Sequence, residues 1–374
     1  MTAQPPAPRG RARDLGFPVG HLPPGQFNAI TDVPGVRVGH RTVWRGGPGE
    51  SGPVARTGVT AIWPHEGNPF RERVYAATSV FNGYGIMTSD IVMDEWGLMG
   101  SPIVLCDTAN LGLAYDATVR YMTARDPAVG DDDVLMPVVA ECDDGFLNDN
   151  RAFTLTTEDV TAALDCAASG PVAEGVVGAG TGMQLFDFKG GIGTASRRVE
   201  IGSRSFTVGV LLNTNYGSRH QLQVAGHPVG RKLVDRMPVR HKEGSCIAVV
   251  ATDLPLHPKQ LRRLARRVDI GLGRTGSVGN DGSGEIFMAF STAHRIPREA
   301  PDGIMPIEVM IEGQFWTHGS PFDVVFDAVA EAAEEAALNA LCQADTVDGR
   351  DGHRLWGFPI EEALAMLHNK TGRA

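Results

Sequence analysis

Apolar residues in this chain fall mostly into short runs or period-two alternations, the pattern of strands, and only five stretches space them as helices do. A turn at Asp32-Val33-Pro34-Gly35 leads into an alternating strand at Val36 and Val38. Further strands are expected at residues 58–63, 74–80, 101–107, 134–142, 246–251, 286–291 and 307–311, and residues 198–212 read as a β-hairpin. Its second arm runs into Asn213-Thr214-Asn215-Tyr216-Gly217. Helical spacing predicts a helix over 108–123, with Leu111, Leu113, Ala114, Val119 and Met122 on one side. A second is expected over 156–169, capped by Thr157. A third, over 258–268, sets Leu261, Leu264, Ala265 and Val268 against an arginine face of Arg262, Arg263, Arg266 and Arg267. An alanine-rich helix over 322–342 and a short terminal one over 364–368 complete the set.

Strands and helices occur on both sides of residue 245, and the part that follows it opens with a strand apolar enough to be buried. Residues 1–374 therefore read as one domain sharing a sheet rather than two, with 1–14 a loosely attached tail. At 374 residues, 42% hydrophobic and 21% charged, the composition is that of a soluble globular protein. The net charge of −10 argues against a nucleic-acid surface. The five cysteines, Cys106, Cys142, Cys166, Cys246 and Cys342, show no CxxC spacing, so neither a disulfide framework nor a zinc knuckle is expected. The N-terminal stretch lacks the apolar core of a secretory signal, and no run is long enough to span a membrane. A cytoplasmic protein with no membrane partner is the expectation.

Chemistry concentrates at Gly244-Ser245, where a polar segment (218–243) meets the strand 246–251. Glycine leaves that peptide bond sterically open, and the serine hydroxyl can attack it. Cleavage would leave Ser245 with a hydroxyl and an α-amine of pKa about 7.7–8.0, a nucleophile and a base on one residue. Ser283 and Glu285, two apart at a strand mouth, share a face and suit the orientation of an amine. The glycine-rich runs 175–183 and 189–194 match neither GxGxxG nor a P-loop, and close backbone packing or an anion nest is the expected use. Asp131-Asp132-Asp133 reads as a solvated run rather than a metal site. HExxH and GxSxG are both lacking, so no metal or cofactor is called for.

Four segments occur in a telling order: residues 30–40 (ITDVPGVRVGH), 213–217 (NTNYG), Gly244-Ser245 followed by IAVVATDLPL, and Gly282-Ser283-Gly284-Glu285. Together, from about residue 15 to the C-terminus, they resemble the L-aminopeptidase/D-amidase-esterases and β-peptidyl aminopeptidases. The resemblance implies an α+β fold, an αββα sandwich of the N-terminal-nucleophile hydrolase kind. It implies a precursor cut between Gly244 and Ser245 into an α chain (1–244) and a β chain (245–374) that stay associated, a small peptide, amide or ester substrate, and a tetramer of αβ units. Ser245 would be the nucleophile, Asn215 an oxyanion donor, and Ser283 and Glu285 the pair orienting the Ser245 amine and hydroxyl. Glu141 would hold the substrate's amino terminus, with Phe146 beside it at a place where relatives often carry an aromatic hydroxyl. Two other readings stay open at this level. One is an acyltransferase like the ornithine acetyltransferases, whose cleavage residue is threonine. The other is an uncleaved binding protein.

Overall fold

The computed structural model describes residues 9–47, 50–239, 244–300, 302–314 and 319–368. In chain order the main elements are β1 (Arg37–Arg45), β2 (Ala55–Trp63), β3 (Glu72–Val80), α1 (Asp90–Trp96), β4 (Leu98–Met99), β5 (Ile103–Cys106), α2 (Leu111–Thr123), β6 (Val138–Glu141), α3 (Thr157–Asp165), β7 (Gln184–Leu185) and β8 (Phe188–Lys189). They continue with β9 (Ile192–Ile201), β10 (Arg204–Asn215), β11 (Ser245–Thr252), α4 (Pro258–Ala265), α5 (Val268–Arg274), β12 (Gly284–Pro297), α6 (Pro321–Gln343), β13 (Val347–Asp348), β14 (Arg354–Leu355) and α7 (Ile360–His368).

β11 explains the architecture. All of its residues are buried, so both of its faces must be covered. Cys246, Ala248 and Val250 point into a core shared with α4, α5 and α6. Ile247, Val249 and Ala251 point into a second core, with Ile62, Leu105, Val138 and Ala140 of another sheet. That second sheet has the order β1-β2-β5-β6, and the first has the order β4-β3-β12-β11-β10-β9. A third core lies between β1, β2, β5 and β6 and the helices α2 and α3, around Val59, Ala61, Val160 and Leu164. Three cores stacked between four layers make an αββα sandwich.

β11 lies between two strands of different sense. It is antiparallel to β10, with Asn215 opposite Ser245, and parallel to β12, with Ser245 opposite Gly284. Residues far apart in the chain thus share one end of the sheet.

Most expected elements form, with physical reasons for the differences. The 134–142 strand is confined to β6 because Pro137 has no N–H for a ladder and Val134 and Met136 are exposed. The cap of α3 is Thr156, whose side chain accepts from Asp159 N–H, and not Thr157. The 258–268 helix is two helices, α4 and α5. Residues 307–311 form no strand: Met310 N–H bonds Pro255 O at 2.9 Å, and Ile307 and Ile311 stay exposed. Of the expected tail, residues 1–8 lie outside the described residues and 9–14 are docked. Ala12 is fully buried with its N–H on Asn339 Oδ1 at 2.8 Å, and Arg13 pairs with Glu335 of α6 at 2.9 Å. Arg11 pairs with buried Glu174 and donates to the carbonyls of Phe27, Asn28 and Thr194, so several elements, α6 among them, hold this arginine-rich stretch. The polar segment before Ser245 is partly inside the protein too, since Arg219 is buried and donates to the carbonyls of Phe186, Asp187 and Leu233. Residues 240–243 of that segment lie outside the described residues.

Candidate active site

The C-terminal end of β10 and the N-terminal ends of β11 and β12 meet beside the C-terminal end of β6, which belongs to the other sheet. Between them opens a cavity of about 1060 Å³, lined by Ser245, Gly244, Glu141, Thr108, Asp281 and Tyr84 among others. The loop 81–87 forms part of its wall and ties the sheets together. Phe81 N–H donates to Glu285 O at 2.9 Å, and Met87 bridges to Ala140. The loop thus brings backbone to the cavity.

Ser245 is 5% exposed and starts its strand at the cavity. Gly244 is there because nothing larger fits: a Cβ would fall inside the envelope of the Asn215 carbonyl oxygen. The Gly244 carbonyl accepts Gly284 N–H at 3.1 Å, a donor already placed on the oxygen of the Gly244-Ser245 peptide. Asn215 is 4% exposed. Its Oδ1 accepts Gln184 N–H at 3.0 Å and its Nδ2 donates to Asp143 O at 2.9 Å. These two bonds set the orientation of the amide and leave the second Nδ2 hydrogen for another acceptor.

Glu141 is buried, yet its carboxylate reaches the cavity. Oε1 accepts Ile86 N–H at 2.9 Å and Oε2 accepts the Thr108 hydroxyl. Burial raises its pKa above the usual carboxylate range, and the two hydrogen bonds oppose that rise. No cation among the described residues is recorded on this carboxylate.

Ser283 and Glu285 share a face, and the Ser283 hydroxyl donates to Glu285 Oε1 at 2.5 Å. Glu285 Oε2 is buried without a hydrogen-bond partner, and the neighbouring Asn82 amide donates to Asn280 O at 3.1 Å. Burial pushes the Glu285 carboxyl up and the Ser283 hydroxyl pulls it down. Alternation adds a correction. Glu285 shares the helix-side face with Cys246 and Phe287, whereas Ser245 shares the inter-sheet face with Ile247. The pair is therefore across the sheet from the Ser245 hydroxyl. The backbone nitrogen, in the plane of the sheet, is the part of Ser245 that lies between them.

Phe146 does not line the cavity. It is buried in a small core with Leu147, Val347 and Leu355, its ring stacked on His353 at 4.5 Å. A turn separates it from β6, so nearness in sequence to Glu141 did not become nearness in the site. Sequence reading passed over Thr108, Asp281 and the Ile86 N–H, which carry no motif and enter the site only through folding.

Comparison with known proteins is consistent with this geometry. The model of peptidase family S58 matches residues 28–355. A β-peptidyl aminopeptidase of Sphingosinicella microcystinivorans is 42% identical, over 96% of this chain and 91% of that protein. The solved L-aminopeptidase D-Ala-esterase/amidase of Ochrobactrum anthropi, described as a variant of the Ntn hydrolase fold, superposes with a TM-score of 0.89 at 44% identity, covering 97% of this chain and 99% of that one. A β-aminopeptidase of a Burkholderia species superposes with a TM-score of 0.88 at 40% identity, over 96% of this chain and 99% of that one.

Proposed function

This chain belongs to peptidase family S58, and from that premise we propose that it is an aminopeptidase and amidase that matures by cutting its own Gly244-Ser245 bond. The observation that carries the reading is that Ser245 and Glu141 line one cavity from different sheets, with Asn215 paired opposite Ser245 in the strand ladder.

Maturation begins when Ser245 Oγ attacks the Gly244 carbonyl carbon. The C–N bond breaks, an ester to Oγ forms, and the proton from Oγ ends on the new amine. Water then hydrolyses that ester, freeing the Gly244 carboxylate and the Ser245 hydroxyl. Gly284 N–H, already on the Gly244 oxygen, stabilises the charge that develops there. In turnover, the Ser245 amine takes the proton from Oγ as it attacks the substrate carbonyl and returns it to the leaving amine or alcohol. The second Nδ2 hydrogen of Asn215 serves the oxyanion. Water attacks the acyl-enzyme and regenerates the serine. Ser283 and Glu285 steady the Ser245 amine from the helix side, and the buried Oε2 of Glu285 suits an ammonium.

Glu141 makes the enzyme select free amino termini. An ionised carboxylate at a half-closed wall is costly unless it meets a cation, and a substrate ammonium supplies one. Wild type should therefore reject an N-acetylated amino-acid amide that it hydrolyses as the free amine. Glu141→Gln should lose most activity toward the free amine and narrow the gap. Retained preference in Glu141→Gln, measured as the ratio of kcat/KM values, assigns the task to another carboxylate. Because the Glu141 pKa is raised, its charge fades at a higher pH than an ordinary glutamate's as the solution is acidified. KM for free-amine substrates should rise along that limb in wild type and not in Glu141→Gln.

Glu285→Gln keeps the shape and removes the charge that would steady a protonated Ser245 amine. It should slow turnover and maturation while circular dichroism stays unchanged, and a normal pH–rate profile would return the Ser283–Glu285 pair to a structural strand end.

The acyltransferase reading expects a threonine where Ser245 stands, and incubation with acetyl-ornithine and glutamate tests it directly. As further proposals, the α and β chains remain together, αβ units assemble as a tetramer, and the enzyme works in the cytoplasm. Exposed Ile91, Trp96 and Val134 on one face support assembly, which sedimentation would measure. No helix among the described residues is long and apolar enough to cross a membrane.

A further inference from the structure

The two glycine-rich runs, 175–183 and 189–194, are not accounted for by the chemistry above. They fold against each other through close backbone contact: a Cβ at Gly180 would overlap Ile192 N, and one at Gly191 the Gly175 carbonyl. At their centre lies Lys189, fully buried. Its Nζ donates to the carbonyls of Gly180 at 3.0 Å, Met183 at 2.7 Å and Gly190 at 2.7 Å. Three acceptors take three N–H bonds, the full complement of an ammonium and one more than a neutral amine offers. Burial lowers the Lys189 pKa to about 7, and nearby buried Asp144 opposes that fall.

One of those carbonyls has a second consequence. Met183 C=O and Gln184 N–H are the two ends of a single planar peptide group. The ammonium grips the oxygen end, and the N–H end donates to Asn215 Oδ1 at 3.0 Å. Pairing of Gln184 with Lys189 across the β7–β8 hairpin closes the ring. We propose that Lys189 is a positioning residue for the oxyanion site, acting on the Asn215 amide through the Met183–Gln184 peptide. The cation polarises that peptide, which strengthens the N–H bond to Oδ1. The Asn215 amide is polarised in turn, so its remaining Nδ2–H becomes a better donor to a developing negative charge. The same contacts prevent the amide from flipping, which would point an acceptor at the oxyanion. The glycines are the means by which backbone carbonyls come close enough to enclose the ammonium. This inference rests on Asn215 being the oxyanion donor.

The test measures kcat and KM of mature wild type, Lys189→Met, Lys189→Gln, Asn215→Ala and the double variant Asn215→Ala/Lys189→Met, with thermal melting of each. A supporting partner of this kind is worth about 10–100-fold. Lys189→Met should lower kcat by that factor with KM little changed, and Lys189→Gln, which keeps a donor, should lose less. In the double variant the Lys189 change should add little to the loss already made by Asn215→Ala, because its path runs through that amide. Full additivity, or a Lys189→Met loss entirely in KM, overturns the inference. So does an unchanged kcat in Lys189→Met where Asn215→Ala is impaired. An unimpaired Asn215→Ala removes the underlying assignment as well. If both Lys189 variants are recovered only as aggregate while Asn215→Ala folds, Lys189 is a folding element and the proposal fails.

Discussion

Ser245→Ala should be recovered as one uncut chain with no measurable hydrolysis, whereas wild type should run as two fragments, the smaller beginning at Ser245. Both losses follow from a single atom. Without Oγ there is nothing to attack the Gly244 carbonyl, so the chain is not cut. Without the cut the amine of residue 245 stays in a peptide bond and is no base. Removing the nucleophile of comparable serine hydrolases costs on the order of 10⁶ in kcat. The fold should survive, because residue 245 stands at the edge of the core and β11 keeps its seven following residues. N-terminal sequencing of the smaller wild-type fragment and a denaturing gel of the variant give the answer, and an active, uncut wild type would end the mechanism. Gly244→Ala should also block maturation, since the added carbon collides with the Asn215 carbonyl and displaces the bond to be cut.

Asn215→Ala should lower kcat by about 10²–10³ with modest change in KM, the loss seen when one oxyanion donor is removed. The bond it would make strengthens only as the carbonyl oxygen gains charge, so binding of the ground state changes little. The variant also removes the hydrogen bonds that Asn215 gives Gln184 N–H and Asp143 O, each worth about 0.5–1.5 kcal/mol in stability. A lowered melting temperature should therefore accompany the slow turnover. Asn215→Asp separates the two effects: it keeps an acceptor for Gln184 N–H but turns an oxygen toward the oxyanion, so kcat should fall at least as far. An unchanged rate in Asn215→Ala would move the role to Asn213. That residue is two positions earlier on the same face, fully buried, with neither amide atom hydrogen-bonded.

Local pattern determined a good deal about this protein. Period-two alternation and apolar runs marked β2, β3, β10, β11 and β12, because strand burial repeats every second residue whatever the topology. Leu261, Leu264 and Ala265 declared the inner face of α4, and the alanine run declared α6. Gly244-Ser245 and Ser283-Gly284-Glu285 stood out only in company with residues 30–40 and 213–217, because the family resemblance rests on the four segments in order.

Tertiary structure alone decided the rest, and the reason is distance along the sequence. Asn215 meets Ser245 because β10 and β11 pair antiparallel, and Glu141 arrives from the other sheet. No local signal encodes either contact. Thr108 and the Ile86 N–H became partners of Glu141 only when two sheets stacked. Residues 307–311 alternate like a strand but find no edge, and residues 9–14 look like a tail but find Glu174 and, on α6, Glu335 and Asn339. Phe146, close to Glu141 in sequence, turned into a separate core. Which face of β12 Glu285 occupies relative to Ser245 depended on register, and a one-residue shift would have reversed it. Lys189 shows the limit most plainly. A lysine followed by two glycines signals nothing by itself, and its three carbonyl acceptors exist only after the backbone has closed around it.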